Sequence, residues 1–319
     1  IVDSMTRLQV WLQAARPASQ TYIAFPILFG GLLFVGVMDA ALSVAGLILA
    51  QAFGLFDQLY IVFANDYADR DLDGHNTTYN MFSGGSRVLV EGQLSSKALG
   101  TASVLMVALS LVTGIGLWLL HGRVAALAAI VLGLLLLWAY SFPPFKLSYR
   151  GGGELLQMAG VGGVLPLVGW LAQGGALTSF PCVVLAVTLP VSLACAITTS
   201  LPDEPSDRAG GKSTASVLLG TRAAQAVALV LFAGSLAAIL LLQPLSPNRL
   251  SVLQGAAAGP GVGLLGHAAT VLVPLLLCMM AIRDIGAKPG TAALNRFVAL
   301  LVSANIALFL GLCVIAFLS

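Results

Sequence analysis

The sequence predicts an all-α membrane protein with nine transmembrane helices. Hydrophobic residues make up 58% of its 319 residues and charged residues only 9%, whereas soluble domains carry about 25% charged residues. A chain of this composition cannot cover its apolar surface in water, so we expect most of it to lie in lipid. The net charge of +2 gives no indication of a nucleic-acid partner. The composition therefore indicates an integral, multi-pass membrane protein.

Nine apolar segments are long enough to cross a bilayer, which takes about 20 mostly apolar residues. They lie at residues 20–38, 42–64, 98–120, 124–141, 154–173, 180–200, 221–243, 266–283 and 294–317. The segment Pro244–Gly263 is rich in Pro, Gly and Ala, and it predicts a loop between the seventh and eighth helices.

The positions of the cationic residues predict which side of the membrane each loop faces. All of the 15 Lys and Arg residues except Arg123 and Arg249 fall in the N-terminal segment or in the loops after helices 2, 4, 6 and 8. Since cytoplasmic loops carry an excess of Lys and Arg, we expect the N-terminus and those loops to face the cytoplasm. Acidic residues are concentrated in two of the same loops. We therefore expect a functional site on the cytoplasmic side of the cytoplasmic membrane.

A run of acidic residues, Asn65–Asp73 (NDYADRDLD), follows the second predicted helix and is named here the first acidic motif. Asn65, Asp69 and Asp73 are spaced four residues apart, so they stack on one face if the helix continues past the membrane. Aligned carboxylates suit Mg²⁺, which is usually held by one or two carboxylates together with substrate phosphates. His75 follows the motif and could reach the same site. A solvated acidic loop is the alternative, but four aspartates in eight residues at a helix end favour a metal site.

The second acidic motif, Asp203–Asp207, follows the sixth predicted helix and has the same four-residue spacing between its two aspartates. Alone, this spacing is equally compatible with an exposed loop. Paired with the first motif on the same side of the membrane, it predicts two carboxylate clusters that face each other across a diphosphate. Divalent cations held there would neutralise the diphosphate as its C–O bond breaks. The predicted metal ligands and catalytic residues are Asp66, Asp69, Asp73, Asp203 and Asp207.

A diphosphate also requires direct contacts from cationic side chains. Arginine offers a planar pair of donors to phosphate oxygens, and lysine offers a point charge. Arg87 in the segment SGGSR and Lys146 in the segment YSFPPFK are the preferred candidates. Arg150, Arg208 and Lys212 are further candidates on the same side, and each could equally be an ordinary interfacial cation.

A polar stripe leads from the first acidic motif into the membrane. Gln51, Gln58 and Asn65 recur at seven-residue spacing, two helical turns apart, so they lie on nearly one face and would line a chamber for the substrate. Asp57 lies beside Gln58. An ionisable residue at this depth is costly and indicates function, such as contact with an acceptor hydroxyl or a role as a base. The alternative is a hydrogen bond between helices.

These motifs resemble those of the UbiA superfamily of intramembrane prenyltransferases. The NDxxDxxxD signature of that superfamily matches Asn65, Asp66, Asp69 and Asp73, and its DxxxD signature matches the second acidic motif, with Gly-Lys-Ser-Thr following. The resemblance implies one domain over residues 1–319, a ring of nine helices around a chamber open to lipid. Cytoplasmic loops that carry the motifs would cap the chamber. Mg²⁺ and a prenyl diphosphate would bind at this cap, with the prenyl tail in the chamber.

Shorter segments resemble particular branches of the superfamily. Ser83–Gly92, Tyr149–Glu154 and the segment from Leu294 look most like the MenA branch, which prenylates 1,4-dihydroxy-2-naphthoate on the way to menaquinone. The first acidic motif looks equally like 4-hydroxybenzoate enzymes, and Pro143–Leu147 resembles the chlorophyll-synthase branch. One departure is Thr199, where many relatives carry Asn four residues before the second motif. This substitution affects a ligand of the second metal.

Three functions are compatible with the sequence. The first is prenyl transfer to an aromatic acceptor, in which Tyr140, Phe142 or Trp170 could stabilise an allylic cation by contact with an aromatic ring. The second is a UbiA-type terpene cyclase, which would use the same diphosphate site without an acceptor. The third is a non-enzymatic transporter, but carriers bind substrate near the midplane between internal repeats, and the sequence shows no such repeat.

Overall fold

The computed structural model describes residues 6–74, 76, 79, 85–242 and 260–318, with side chains omitted at 242 and 260–267. All of the regular secondary structure in this part of the chain is helical, which confirms the predicted fold class. The helices are α1 Arg7–Ala15, α2 Thr21–Met38, α3 Val44–Asp73, α4 Ser96–His121, α5 Val124–Ser141, α6 Leu147–Arg150, α7 Gly153–Ala159, α8 Leu165–Ala172, α9 Leu185–Ser200, α10 Glu204–Ala209, α11 Ala215–Leu219, α12 Thr221–Leu242, α13 Pro260–Ile282 and α14 Ala292–Leu318.

Eight helical stretches in the described residues are long and apolar enough to cross a membrane. They correspond to the first seven predicted segments and to the ninth. The eighth predicted segment falls in α13, where Ala268–Ile282 forms a shorter apolar helix, so the count of nine spans stays a prediction. Of the predicted loop Pro244–Gly263, residues 244–259 lie outside the described residues, and α13 already begins at Pro260.

Helix α3 extends well beyond the predicted segment 42–64. The hydroxyl of Ser43 caps its first turn by accepting a hydrogen bond from the backbone N–H of Gly46, and the helix ends at Asp73. Its 30 residues span about 45 Å at 1.5 Å per residue, whereas the hydrocarbon core of a bilayer is about 30 Å thick. The last turns of α3 therefore project from the apolar layer and carry the first acidic motif in helical conformation.

The other site segments lie at the same end of the bundle. Helix α5 ends at Ser141 because Pro143 and Pro144 follow and cannot continue the helical hydrogen bonding. The one-turn helix α6 then leads into α7. A 3₁₀ turn, Leu201–Asp203, joins α9 to α10 and carries the start of the second acidic motif. The end of α3, the α5–α7 connection and the α9–α12 connection are thereby brought together.

Glycine allows α2 and α8 to pack backbone against backbone. A Cβ added at Gly30 would lie 1.8 Å from the carbonyl oxygen of Pro166, and one added at Gly169 would lie 2.0 Å from the carbonyl oxygen of Ile27. Small residues at such crossings are characteristic of packed membrane helices. Helix α2 also packs against α3 and α14, and α9 packs against α12 and α7. The α2–α8 contact therefore fixes one side of the bundle.

Replacement of Gly169 by alanine should destabilise the protein, because the added methyl group overlaps the backbone of α2 and forces the two helices apart. We expect a loss of about 1–3 kcal/mol in the free energy of unfolding, as for other overpacked sites. The matched control is Gly234→Ala in α12, where an added Cβ meets no atom of the described residues within 4 Å. Thermal unfolding in detergent measures both, and equal melting temperatures would contradict the assignment.

Candidate active site

The first acidic motif is held from several directions at the end of α3. Asp66 is buried, with 4% of its surface exposed. Its carboxylate accepts a hydrogen bond from the guanidinium of Arg16 and another from the hydroxyl of Ser86. The backbone N–H of Ser86 lies 3.2 Å from both carboxylate oxygens, and Gln13 donates to the carbonyl of Ser86 at 2.7 Å. Helix α1 and the segment around Ser86 thus fix Asp66 together.

Asp69 lies where the two acidic motifs meet. Its carboxylate accepts hydrogen bonds from the hydroxyl of Tyr149 at 2.9 Å and from the ammonium of Lys212 at 2.8 Å. The same ammonium lies 3.6 Å from Oδ1 of Asp207. One lysine side chain therefore connects an aspartate of each motif.

The electrostatic surroundings keep both donors protonated. Burial lowers the pKa of Lys212, but the carboxylates of Asp69 and Asp207 raise it by more, so the pKa is well above its ordinary value. Burial and the adjacent Asp69 raise the pKa of Tyr149. Tyr149 therefore donates its phenolic proton, and Lys212 carries a full positive charge throughout the physiological pH range.

The second acidic motif is tied to its own loop and to the segment after α3. Asp207 is buried, and its Oδ2 accepts a hydrogen bond from the hydroxyl of Thr214 at 3.2 Å. Asp203 accepts one from the side-chain amide of Asn76 at 3.0 Å. Asn76 follows the first acidic motif by three residues, so the two motifs are linked here as well as through Lys212.

Gly85 lies directly against the carboxylates of Asp66 and Asp73 in the first motif. Its φ of +70° is a conformation that favours glycine, and an added Cβ would lie 2.3 Å from Oδ2 of Asp73 and 3.1 Å from Oδ1 of Asp66. Both carboxylates therefore face the same small space beside Gly85, which a larger residue would fill.

The predicted diphosphate contacts differ in how they are placed. Arg87 donates to the backbone carbonyl of Asp73 at 3.1 Å, and its guanidinium stacks over the ring of Tyr79 at 4.4 Å from the ring centre. The ammonium of Lys146 lies 3.7 Å above the ring centre of Tyr149, and Lys212 is 5.1 Å from the same centre. Arg87 and Lys146 thus border the acidic cluster, whereas Lys212 lies within it.

Two further cations lie away from the cluster. Arg150 is exposed at the end of α6 and forms no ion pair with either acidic motif within the described part of the chain. Arg208 is exposed and pairs with Glu204 of the same helix at 2.5 Å. His75, which follows the first motif, lies outside the described residues.

The polar stripe of α3 makes contacts with neighbouring helices. Gln51 donates to the carbonyl of Ala24 at 3.1 Å, and Gln58 donates to the hydroxyl of Ser19 at 2.5 Å. Asn65 accepts a hydrogen bond from the hydroxyl of Ser141 at 3.2 Å. These bonds connect α3 to α2 and α5, and the role of the stripe as a chamber lining stays a prediction.

Asp57 is buried beside this stripe, with 4% of its surface exposed. Its Oδ1 has no hydrogen-bond partner among the described residues. The alternative of a helix-to-helix hydrogen bond therefore does not account for that oxygen. A carboxyl group left in this state at membrane depth is costly to maintain, and a functional role for Asp57 stays a prediction.

The aromatic candidates are separated by the fold. Tyr140 lies in the last turn of α5, and its carbonyl accepts a hydrogen bond from Ser148 at 2.8 Å, next to the cluster. Trp170 is fully buried near the other end of the α7–α8 stretch, against Phe34 and Phe180. It lies 17 residues beyond Gly153, the start of α7, which is about 25 Å along a helix. Trp170 is therefore packed away from the start of α7, and cation stabilisation by Tyr140, Phe142 or Trp170 stays a prediction.

The hydroxyl of Thr199 bonds within its own helix. It lies 3.1 Å from the carbonyl oxygens of both Cys195 and Ala196, so its O–H donates to the backbone of α9. An asparagine at this position would present a longer amide group, whereas the shorter Thr199 side chain donates its hydroxyl within α9.

The donor set fits a hard divalent cation. Within the described residues, no three His, Cys, Asp or Glu side chains converge closely enough to form a metal site by themselves. The carboxylates of Asp69 and Asp207 nevertheless share one cation, the ammonium of Lys212. Oxygen ligands from the protein, completed by water and phosphate oxygens, are what Mg²⁺ usually takes.

Several site residues were not predicted from the sequence. In the sequence, Arg16 stands out only as part of the cytoplasmic charge excess, and Tyr149 only as part of a segment that resembles a branch of the superfamily. Ser86, Asn76 and Thr214 are small polar residues in loops. Thr214 ends the Gly-Lys-Ser-Thr segment that follows the second motif. No helical periodicity links any of the three residues to the aspartate that it contacts.

Removal of the Arg16 side chain should destabilise the site, because Asp66 would lose a charged partner while remaining buried. The exposed fraction of the side chain is 34% for Arg16 and 4% for Asp66. We therefore expect Arg16→Met to lower the free energy of unfolding by about 1–3 kcal/mol. Arg7→Met is the control, because Arg7 is exposed at the start of α1. If the two variants unfold at the same temperature in detergent, Arg16 does not stabilise Asp66.

A UbiA homolog from Archaeoglobus fulgidus bound to GPP and Mg²⁺ is similar with a TM-score of 0.70 and 16% identity, over 97% of this chain and 99% of that chain. An apo UbiA homolog from Aeropyrum pernix K1 gives 0.65 and 20% identity, over 91% and 97%. A digeranylgeranylglyceryl phosphate synthase gives 0.62 and 16% identity, over 98% and 99%. At these identities the structures show the shared fold alone.

A search of curated protein sequences finds no match. The family comparison is decisive, because the UbiA prenyltransferase family matches residues 23–299, which is most of the chain. The chain is therefore a member of the UbiA prenyltransferase family of membrane enzymes.

Proposed function

We propose that this enzyme transfers a prenyl group from a prenyl diphosphate to an aromatic acceptor and requires Mg²⁺. The observation that carries the proposal is the shared cation between the two acidic motifs, 2.8 Å from Asp69 and 3.6 Å from Asp207. Asp69 and Asp207, which are 138 positions apart in the chain, thus come close enough to pair with the same ammonium group. A fold relative whose structure is described as bound to GPP and Mg²⁺ supports the same substrate class.

The acidic motifs would hold the metal ions. The proposed ligands are Asp66, Asp69, Asp73, Asp203 and Asp207. Bound Mg²⁺ supplies positive charge that stabilises the diphosphate as it leaves. Asp66 and Asp73 already face one space beside Gly85, while Asp69 and Asp207 face each other across Lys212. This grouping favours two sub-sites, one on each side of the diphosphate.

Cationic side chains around the cluster would bind the diphosphate oxygens directly. Arg87 and Lys146 border the cluster and hold their charges over aromatic rings. Arg87 also donates to the carbonyl of Asp73 and pairs with Glu91 at 3.6 Å, so it would exchange these partners for the ligand. Lys212 lies inside the cluster. Arg150 could contribute only from the periphery, since its side chain is exposed at the end of α6.

Residues below the cluster would position the reacting carbon. Asn65 and Ser141 are hydrogen-bonded to each other at 3.2 Å and connect α3 to the last turn of α5, where Tyr140 lies. An aromatic face here would stabilise the allylic cation that forms when diphosphate leaves. An apolar bundle also keeps water from capturing that cation. The acceptor ring then attacks, and its ring proton leaves to a base.

Asp57 and Gln58 lie deeper in the membrane. They precede Asn65 by eight and seven residues, respectively, which is about 10–12 Å along the helix. We propose that they contact substrate parts distant from the leaving diphosphate, as part of the binding chamber.

The acceptor we propose is a phenolic compound of the 1,4-dihydroxy-2-naphthoate type, in quinone or lipid biosynthesis. The support is the Tyr149–Glu154 segment, which resembles the MenA branch and contributes directly to the site. Tyr149 donates to Asp69, and Glu154 accepts a hydrogen bond from the backbone N–H of Ala215 at 2.7 Å. We also propose that the site faces the cytoplasm, since Arg16, Arg87, Lys146 and Lys212 lie at its end of the bundle.

Replacement of Asp69 by asparagine should abolish diphosphate release while leaving a folded protein, because the neutral amide holds a metal ion poorly and removes a partner of Lys212. Asp71→Asn is the matched control, since the Asp71 side chain is 89% exposed and lies off the Asn65–Asp69–Asp73 face. We expect this control to retain activity. Wild-type turnover by the Asp69 variant would overturn the metal assignment.

The acceptor is tested with purified enzyme, Mg²⁺, geranylgeranyl diphosphate and a panel of acceptors, with products identified by mass spectrometry. A prenylated product whose formation depends on the phenolic acceptor supports the proposal. A cyclic hydrocarbon formed without acceptor identifies a terpene cyclase instead, and product formed only with a prenylglyceryl phosphate excludes the aromatic acceptor. EDTA should stop every product, and excess Mg²⁺ should restore it.

A further inference from the structure

Lys212 occupies the position of a bridging cation. Its side chain is 11% exposed, and its ammonium lies between Asp69 of α3 and Asp207 of α10. Asp207 has a neutral partner in Thr214, and Asp69 has one in Tyr149. Among the described residues, Lys212 is the cation that pairs with both carboxylates.

The lysine backbone is fixed independently of its side chain. The N–H of Lys212 donates to the carbonyl of Asp207 at 2.8 Å, and the N–H of Ser213 donates to the carbonyl of Tyr149 at 3.2 Å. The ammonium can therefore move by side-chain torsions alone, on a flexible four-carbon stem. The ring of Tyr149, 5.1 Å away, offers an aromatic face along that movement.

We propose that Lys212 is the internal counter-ion of the metal-free enzyme. A divalent cation that binds Asp69 and Asp207 displaces the ammonium, which then becomes free to contact the diphosphate that arrives with the metal. The second part of this inference, contact between the displaced ammonium and the diphosphate, rests on the proposed function. Lys212 opposes metal binding before the diphosphate arrives and favours the ternary complex afterwards.

The first test measures Mn²⁺ binding to the purified enzyme without diphosphate, by electron paramagnetic resonance. Lys212→Met and Lys212→Gln remove the competing charge, and we expect either to bind Mn²⁺ about tenfold more tightly than wild type, a typical coupling between linked sites. Lys212→Gln keeps an N–H donor, so it remains informative if the methionine variant does not fold.

Two controls separate this mechanism from a general effect of charge. Lys212→Arg keeps the positive charge and should retain wild-type affinity. Arg208→Met removes a cation from the same connection that pairs with Glu204 rather than with Asp207, and it should also leave Mn²⁺ affinity unchanged. Neutral variants that bind Mn²⁺ no more tightly than wild type would overturn the proposal, as would an equal gain in Arg208→Met.

The second test addresses the metal-free state without reference to catalysis. Without metal, the two neutral variants should unfold at a lower temperature than wild type, because two buried carboxylates are left facing each other. Lys212→Arg should restore stability, and saturating Mg²⁺ should remove the difference. Unchanged metal-free stability would overturn the counter-ion role. If wild type neither binds Mn²⁺ nor releases diphosphate, the proposed function fails, and the metal-free melting temperatures still decide the role of Lys212.

Discussion

The neutralisation of carboxylates buried at the end of a membrane helix is the constraint on which this structure depends. Asp66 and Asp207 are each only 4% exposed, and charges removed from water are stable only when they are paired and hydrogen-bonded. The chain meets this requirement with Arg16, which directly follows α1, and with Lys212 from the α10–α11 connection. Segments far apart in sequence must therefore assemble around α3 before its carboxylates can remain charged.

The length of α3 makes this assembly possible. Because the helix continues to Asp73, we expect its carboxylates to stand near the boundary between lipid and water. The same helix continues inward through Gln58 to Gln51, whose side chains bond to Ser19 and Ala24. One rigid element thus connects the polar site with the apolar interior in which a prenyl tail would lie.

Features with a helical period could be predicted from the sequence, and contacts between loops could not. The apolar segments and the spacing of Asn65, Asp69 and Asp73 follow from the geometry of the helix itself. The pairing of Asp66 with Arg16 depends on how α1 folds back, which no local pattern encodes. The packing of Trp170 against Phe34 and Phe180 likewise depends on tertiary structure that no local pattern encodes.

The glycine crossing of α2 and α8 has a mechanical consequence. Added Cβ atoms at Gly30 and Gly169 would lie within 2.0 Å of the opposing backbone, so the two helices touch through backbone atoms and not through flexible side chains. Two helices in such contact resist sliding and rotation, and they move as one rigid unit. Any opening that admits a lipid-soluble substrate therefore requires other helices of the bundle to separate from the rigid α2–α8 pair.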